Sequence, residues 1–381
     1  MGQGRAENFI DALRPLCVRW GAMRRSRFCL FFASSLLLAT ACGVSQTTPA
    51  PAGPSAPASA PTAIATPKTP AEFFARARQL SDLEAAGIPF HLKATYVAAG
   101  KTEFTGNGTY EEWWRSDQLW RKEVTLENFR YLLFKRDGKT QAFATGSYVP
   151  LRLRQAMNAA VIRIPDADAT STKGWKEQSK NIEGLDMDVV SGVSPCDLKN
   201  KSSSCLKADY FTQSGVLRVA QYGLNSTVYN KLQPFQGHLI PREIWVTDGK
   251  QRILTVSVDR LEPLSADRDE PWMSRVDPQT SQAMPMIGTG SQSVKTRSID
   301  SPPPVYPMTA KRAGKQGIVL IDAQIDDKGN VREPFILQSA GSDLDEAALQ
   351  AVGRWRYEPI TYNGMPVLFE TQITIIFKLN R

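Results

Sequence analysis

The chain has 381 residues, 42% hydrophobic and 22% charged, proportions of a globular protein that exclude wholesale disorder, a collagen-like repeat and a multi-spanning membrane protein. Its net charge of +8 gathers at the N-terminus, where residues 1–70 carry 7 Lys/Arg against 2 Asp/Glu, so the basic balance is no nucleic-acid footprint and no nucleic-acid partner is expected. The only two histidines, His91 and His238, cannot assemble a His-rich metal site or a zincin motif.

From Met23, three arginines precede a 14-residue apolar run, residues 28–41, and then Cys42. That is the layout of a secretory signal, and 14 residues are short for a permanent span, which needs about 20. Residues 1–22 hold charges and a proline that fit no signal peptide, so translation is expected to start at Met23. The segment Leu37 to Gly43 resembles a bacterial lipobox, which implies a lipid-modified Cys42 and a membrane anchor on the periplasmic side of an envelope. Ala39-Thr40-Ala41 also reads as an ordinary A-x-A cleavage site. Cys196 and Cys205, the two cysteines of the mature body, read as one disulfide across the loop CDLKNKSSSC, worth on the order of 2 to 3 kcal/mol.

After the signal region (1–42), residues 43–70 form a linker; its part 47–70 holds seven prolines and seven alanines, a semi-stiff polyproline tether. A second polar, Pro/Ser/Gly-rich linker is expected over 263–298, which leaves two folded domains, 71–262 and 299–381. The first opens with an expected helix, 71–86. Phe90, Leu92, Ala94, Tyr96 and Ala98 then alternate with polar residues as a half-buried strand. Further strands are expected near 104–114, 119–126, 129–136, 216–222, 239–247 and 252–261, with a helix at 150–160. Together they predict a large antiparallel, half-barrel-like sheet with a few helices.

Trp113, Trp114 and Trp120 stand beside Arg115, Arg121 and Lys122 in GTYEEWWRSDQLWRKEV. They read either as core and edge filling or as the wall of an acyl-chain pocket on the concave face. With the strand after Gly108-Thr109-Tyr110 and the hairpin HLIPREIWVTDGKQRILTVSVDRLE, this region resembles the LolA-like periplasmic lipoprotein and lipid carriers, which implies a lipid or lipoprotein ligand.

In the last domain Pro302-Pro303-Pro304-Val305-Tyr306-Pro307 leads into Met308–Arg312. A strand after Gly317 puts Val319, Ile321, Ala323 and Ile325 on one face, opposite Leu320, Asp322 and Gln324. The Asp326–Asn330 turn, with Gly329, is a hairpin, and 331–338 is the return strand. Ser342 with Asp345 reads as a capping box for a helix carrying Leu344, Ala348, Ala351 and Trp355. Pro359 follows, Asn363-Gly364 turns the chain, and 367–379 is the final strand. Acid pairs such as Glu111-Glu112 and Asp326-Asp327 read as solvated surface.

These pieces resemble the C-terminal domain of TonB-type energy transducers. They are P-P-V-Y-P-x-x-A-K-R, G-x-V-x-x-x-x-x-I-D-x-x-G-x-V, L-D-x-A-A-L-x-A-V, R-W-R-Y-x-P and N-G-x-P-V. The resemblance implies a small β-β-α-β domain that adds the TonB box of an outer-membrane transporter to a sheet edge. The expected edge is Phe369, Thr371, Ile373, Ile375 and Phe377, with self-pairing into a homodimer as an alternative. No histidine lies in the N-terminal apolar run, so the resemblance supports recognition rather than coupling to a proton-driven motor. No nucleophile elbow, P-loop, dinucleotide fingerprint or Cys-His pair is present, so the chain is expected to be no enzyme, with no cofactor or metal. The fold class predicted is α+β.

Overall fold

The computed structural model describes residues 66–264 and 297–379, except 101, 103, 146–147, 169, 183, 196–203 and 363–364, together with the backbone of 286–287. Cys42, Cys196 and Gly364 lie outside the described residues, as does most of both linkers.

Helix α1 (Pro70–Ser81) starts where Thr69 accepts the Glu72 N–H at 3.3 Å and Pro70 takes the first helical position, and it buries Phe73, Phe74 and Ala77. It is shorter than the expected 71–86. Asp82 stops it by accepting the amides of Ala85, 2.9 Å, and Ile164, 2.8 Å.

Five strands follow as a meander: β1 (Phe90–Ala98), β2 (Gly106–Ser116), β3 (Leu119–Leu126), β4 (Phe129–Arg136) and β5 (Lys139–Ala144). After helix α2 (Leu151–Ala159) a second meander runs through β6 (Lys176–Ile182), β7 (Leu185–Pro195), β8 (Ser204–Thr212), β9 (Leu217–Tyr222) and β10 (Asn225–Asn230). A small hairpin, β11 (Gln233–Phe235) and β12 (His238–Ile240), leads to β13 (Glu243–Asp248) and β14 (Gln251–Pro263). Pro241, which has no N–H to donate, falls between β12 and β13 and splits what the sequence suggested was one strand. The twelve-stranded sheet has the order β5-β4-β3-β2-β1-β14-β13-β10-β9-β8-β7-β6, so β1·β14 joins the two meanders at its centre. Cys205, read as part of the loop CDLKNKSSSC, lies in β8 opposite Ser194.

β1 alternates as its sequence requires, with Phe90, Leu92, Ala94, Tyr96 and Ala98 all buried. Their face is covered by α1, by α2 and by the segment after it, where Ala160, Val161, Ile162 and Ile164 join the same core. Trp114 is buried there, stacked on Phe90 at 6.0 Å, whereas Trp113 lies on the other face between His91 and Arg121. The three register partners His91, Trp113 and Arg121 thus form a row across β1, β2 and β3.

Glu112 corrects the expectation of solvated acid pairs. Its place in β2 turns it inward, fully buried, where the Tyr110 hydroxyl, Lys122 at 3.0 Å and Arg163 at 3.0 Å meet it.

The C-terminal part contains β15 (Met286–Ile287), β16 (Ser298–Asp300), helix α3 (Met308–Arg312), β17 (Gly317–Ile325), β18 (Val331–Gln338), helix α4 (Ser342–Val352), β19 (Arg356–Tyr357), β20 (Thr361–Tyr362), β21 (Met365–Pro366) and β22 (Leu368–Phe377). The principal sheet has the order β15-β22-β17-β18. Helix α4 lays Leu344, Ala348 and Val352 onto Val319, Ile321, Ala323 and Ile325, the face expected from the alternation. The capping box does not form. Gly341, at φ 117°, is the N-cap, and Asp345 reaches back to the Ala340 amide, 2.9 Å, and to the Ser339 hydroxyl at 2.5 Å. Antiparallel sheets with a few covering helices make the fold α+β.

Candidate docking edge

Strand β22 runs antiparallel to β17 from Phe369↔Ile325 to Phe377↔Gly317. On its other side, among the described residues, only β15 pairs with it, at Leu368 and Phe369. From Glu370 onward no described strand pairs with the outer side of β22, and a sheet edge of this kind is where an extended peptide can add.

The residues expected to line that edge all lie on one face of β22. Phe369, Ile373, Ile375 and Phe377 are buried against α4, and Thr371 is half-buried on the same face. Their side chains hold the strand in place, so a docking segment would meet their backbone. Ile376, on the opposite face of β22, is exposed, and Tyr306 packs edge-on against Phe377 at 5.3 Å.

The family-motif positions serve this scaffold. Pro307 caps α3, and the Tyr306 hydroxyl donates to the Lys315 carbonyl. A Cβ on Gly317 would lie 2.8 Å from the Ala340 Cβ, so glycine lets β17 pass under the loop before α4. Leu344 and Ala348 are fully buried, and Trp355 donates its indole N–H to the Pro302 carbonyl at 3.0 Å. Pro304 is half-buried and Pro359 exposed. Asp326, read as solvated surface, is fully buried. Its carboxylate accepts the amides of Lys328 and Asn330, the Asn330 side chain and the Arg332 guanidinium at 2.8 to 2.9 Å. Burial opposes its charge, but these donors outweigh burial and hold the carboxyl below its usual range.

The second face of this sheet, which the sequence reading left open, is also covered. The Val149 amide donates to Gln324 at 2.7 Å, the Leu151 amide to Glu333, and Arg154 of α2 pairs with Glu370. Leu320 and Leu337 form a small cluster with Phe335 and Tyr222, and Leu368 joins the core of the large sheet. Gly223, at φ 59°, turns so closely beneath β18 that a Cβ would overlap the Leu337 carbonyl. This seam was missed because its partners are far apart in sequence. Its one local signal was Leu320, an apolar residue on the face opposite α4.

Asp322 lies in this seam. Burial pushes its carboxyl up to about 7, with Glu370 adding to the rise and Arg154 opposing it. An acid with a raised value stabilises the closed seam fully below its unfolded value near 4 and loses that contribution as pH rises through about 7. Stability of the wild type is expected to fall by on the order of 2 kcal/mol between pH 4.5 and 7.5, and Asp322→Asn to remove most of that slope. Thermal unfolding across this range measures it, and an unchanged slope in the variant would assign the dependence elsewhere.

The unit is a small antiparallel β-β-α-β module in which, among the described residues, β18 stands at one margin of the sheet and β22 carries only the short β15 at the other. Residues 302–379 match the family model described as the Gram-negative bacterial TonB protein C-terminal. Protein TonB of Vibrio cholerae is 36% identical over 77 residues, 20% of this chain and 32% of that protein. Protein TonB of Xanthomonas campestris pv. campestris is 36% identical over 89 residues, 23% and 40% of the two chains. The chain thus spans about a third of the length of the curated relatives it matches. Among solved structures, the TonB C-terminal domain of Pseudomonas aeruginosa aligns at 25% identity and a TM-score of 0.22, over 25% of this chain and 94% of that one. A LolA superfamily protein from Nitrosomonas europaea aligns at 13% identity and a TM-score of 0.30, over 51% and 93%.

Proposed function

We propose that this is an envelope protein whose C-terminal domain, 299–381, binds the TonB box of an outer-membrane transporter by strand addition to β22, in support of transport across the envelope. The observation that carries the reading is the position of β22 at the sheet margin, with no described strand paired beyond Phe369, in a unit whose sequence matches the TonB C-terminal family. In this reading the protein is exported and held on the periplasmic side through a lipidated Cys42. The Pro/Ala-rich linker 43–70 sets its reach, and a Cys196–Cys205 disulfide ties the β7–β8 connection. It acts by binding and not by catalysis.

Titrating the isotope-labelled protein with TonB-box peptides tests this. Amide shifts are expected to run along β22 from Glu370 to Phe377 and to spare β18 at the opposite margin. Shifts scattered over the surface, or none with any box peptide, would remove the reading.

A further inference from the structure

The chain between the two domains contributes one strand to the sheet. Met286 pairs with Leu368 and Ile287 with Phe369, in parallel, on the outer side of β22. The other strand pairs of the protein, among the described residues, are antiparallel. β15 is therefore no hairpin extension of its neighbour. It is a separate segment laid on the very edge where a docking peptide would add.

We infer that the segment Met286–Ile287 is an internal ligand of the β22 edge, and that it must leave before an incoming segment can pair along the full strand. The inference deepens the docking reading above and rests on it. The linker is anchored at both ends within the same compact unit, by β14 at Pro263 and by β16, which pairs with β19. Such a tether presents the segment to the edge at an effective concentration of roughly millimolar. Two paired residues form a short contact, so the block is a partial one: a competitor that a good partner displaces and a poor partner does not. The selectivity of the edge would then come partly from this chain.

The double substitution Met286→Pro with Ile287→Pro tests the inference, because proline removes both backbone donors of β15. In the full chain two quantities are read: hydrogen exchange of the Leu368–Phe369 amides and the affinity for a TonB-box peptide. Removing a competitor raises the apparent affinity by the fraction of edge it held, and an increase of roughly 3- to 10-fold is expected, with faster exchange at Leu368–Phe369. A synthetic peptide of residues 280–292 added to the variant should restore the protection, which guards against a folding artefact. Equal exchange and equal affinity in wild type and variant would overturn the inference. Faster exchange with no peptide binding in either protein would support the internal pairing and remove the docking reading instead.

Discussion

Gly329→Ala is expected to destabilise the C-terminal sheet by roughly 3 to 5 kcal/mol, enough to unfold it near physiological temperature. Gly329 sits at φ 80° in the turn between β17 and β18, where an L-residue pays about 1 to 2 kcal/mol of backbone strain. The larger cost is steric. A Cβ would overlap the carbonyl of Tyr357, and Tyr357 cannot retreat, because its amide is bonded to the Gly329 carbonyl at 2.9 Å and its ring is buried against Phe369. The clash is with backbone, which no rotamer change relieves. Lys328→Ala, one residue earlier and exposed, is the control and should stay within about 0.5 kcal/mol. Thermal unfolding of the two variants makes the comparison; equal midpoints would mean that the close approach of turn and β19 is absent in solution.

Arg163→Met is expected to cost about 3 to 5 kcal/mol in the large sheet, by a different route. Arg163 bonds Glu84 at 2.7 Å and Glu112 at 3.0 Å, while Lys122 bonds the same two carboxylates at 3.1 and 3.0 Å. Two acids and two bases balance here, with Glu112 fully buried and Arg163 reaching in from the surface, and deleting Arg163 leaves Lys122 alone against two carboxylates, one net negative charge in excess. Burial raises the Glu84 carboxyl, but Arg163 and Lys122 outweigh it and hold the group at about 2. A lowered acid supplies stability above its unfolded value near 4.5 and loses it as pH falls through 2. Wild type should therefore lose stability between about pH 4.5 and 2, whereas the methionine variant should show a smaller loss that is complete at a higher pH. A variant as acid-stable as wild type would show that Lys122 alone balances the pair.

What could be read beforehand follows from how local each signal was. The period-2 runs of β1, β3 and β4 and the strand-strand-helix-strand order of the C-terminal part were legible, because each depends on neighbours in sequence. β6 was not, since its KEQSKNI is mostly exposed on an outer edge and carries no apolar alternation. Helix α4 was legible from Leu344, Ala348 and Ala351, but its cap was not: Asp345 bonds backward to Ala340 instead of pairing with Ser342. Glu112 and Asp326 were misread for one reason. A carboxylate's burial is set by donors from elsewhere in the fold, Arg163 in one case and Arg332 in the other. β22 was legible as a strand, but Arg154 and Met286, which reach it from outside the C-terminal domain, left no mark near it.

The pairing of β1 with β14 also governs how the protein is made. Its partners are separated by on the order of 150 residues, so the central pair closes late, after each meander has formed from local hairpins. A chain delivered N-terminus first, from a ribosome or through a membrane pore, would hold Phe90, Leu92 and Tyr96 on a half-paired strand until the last hairpin of the sheet arrived. That interval is when the chain is most open to aggregation, and the time it lasts is fixed by topology rather than by any single residue.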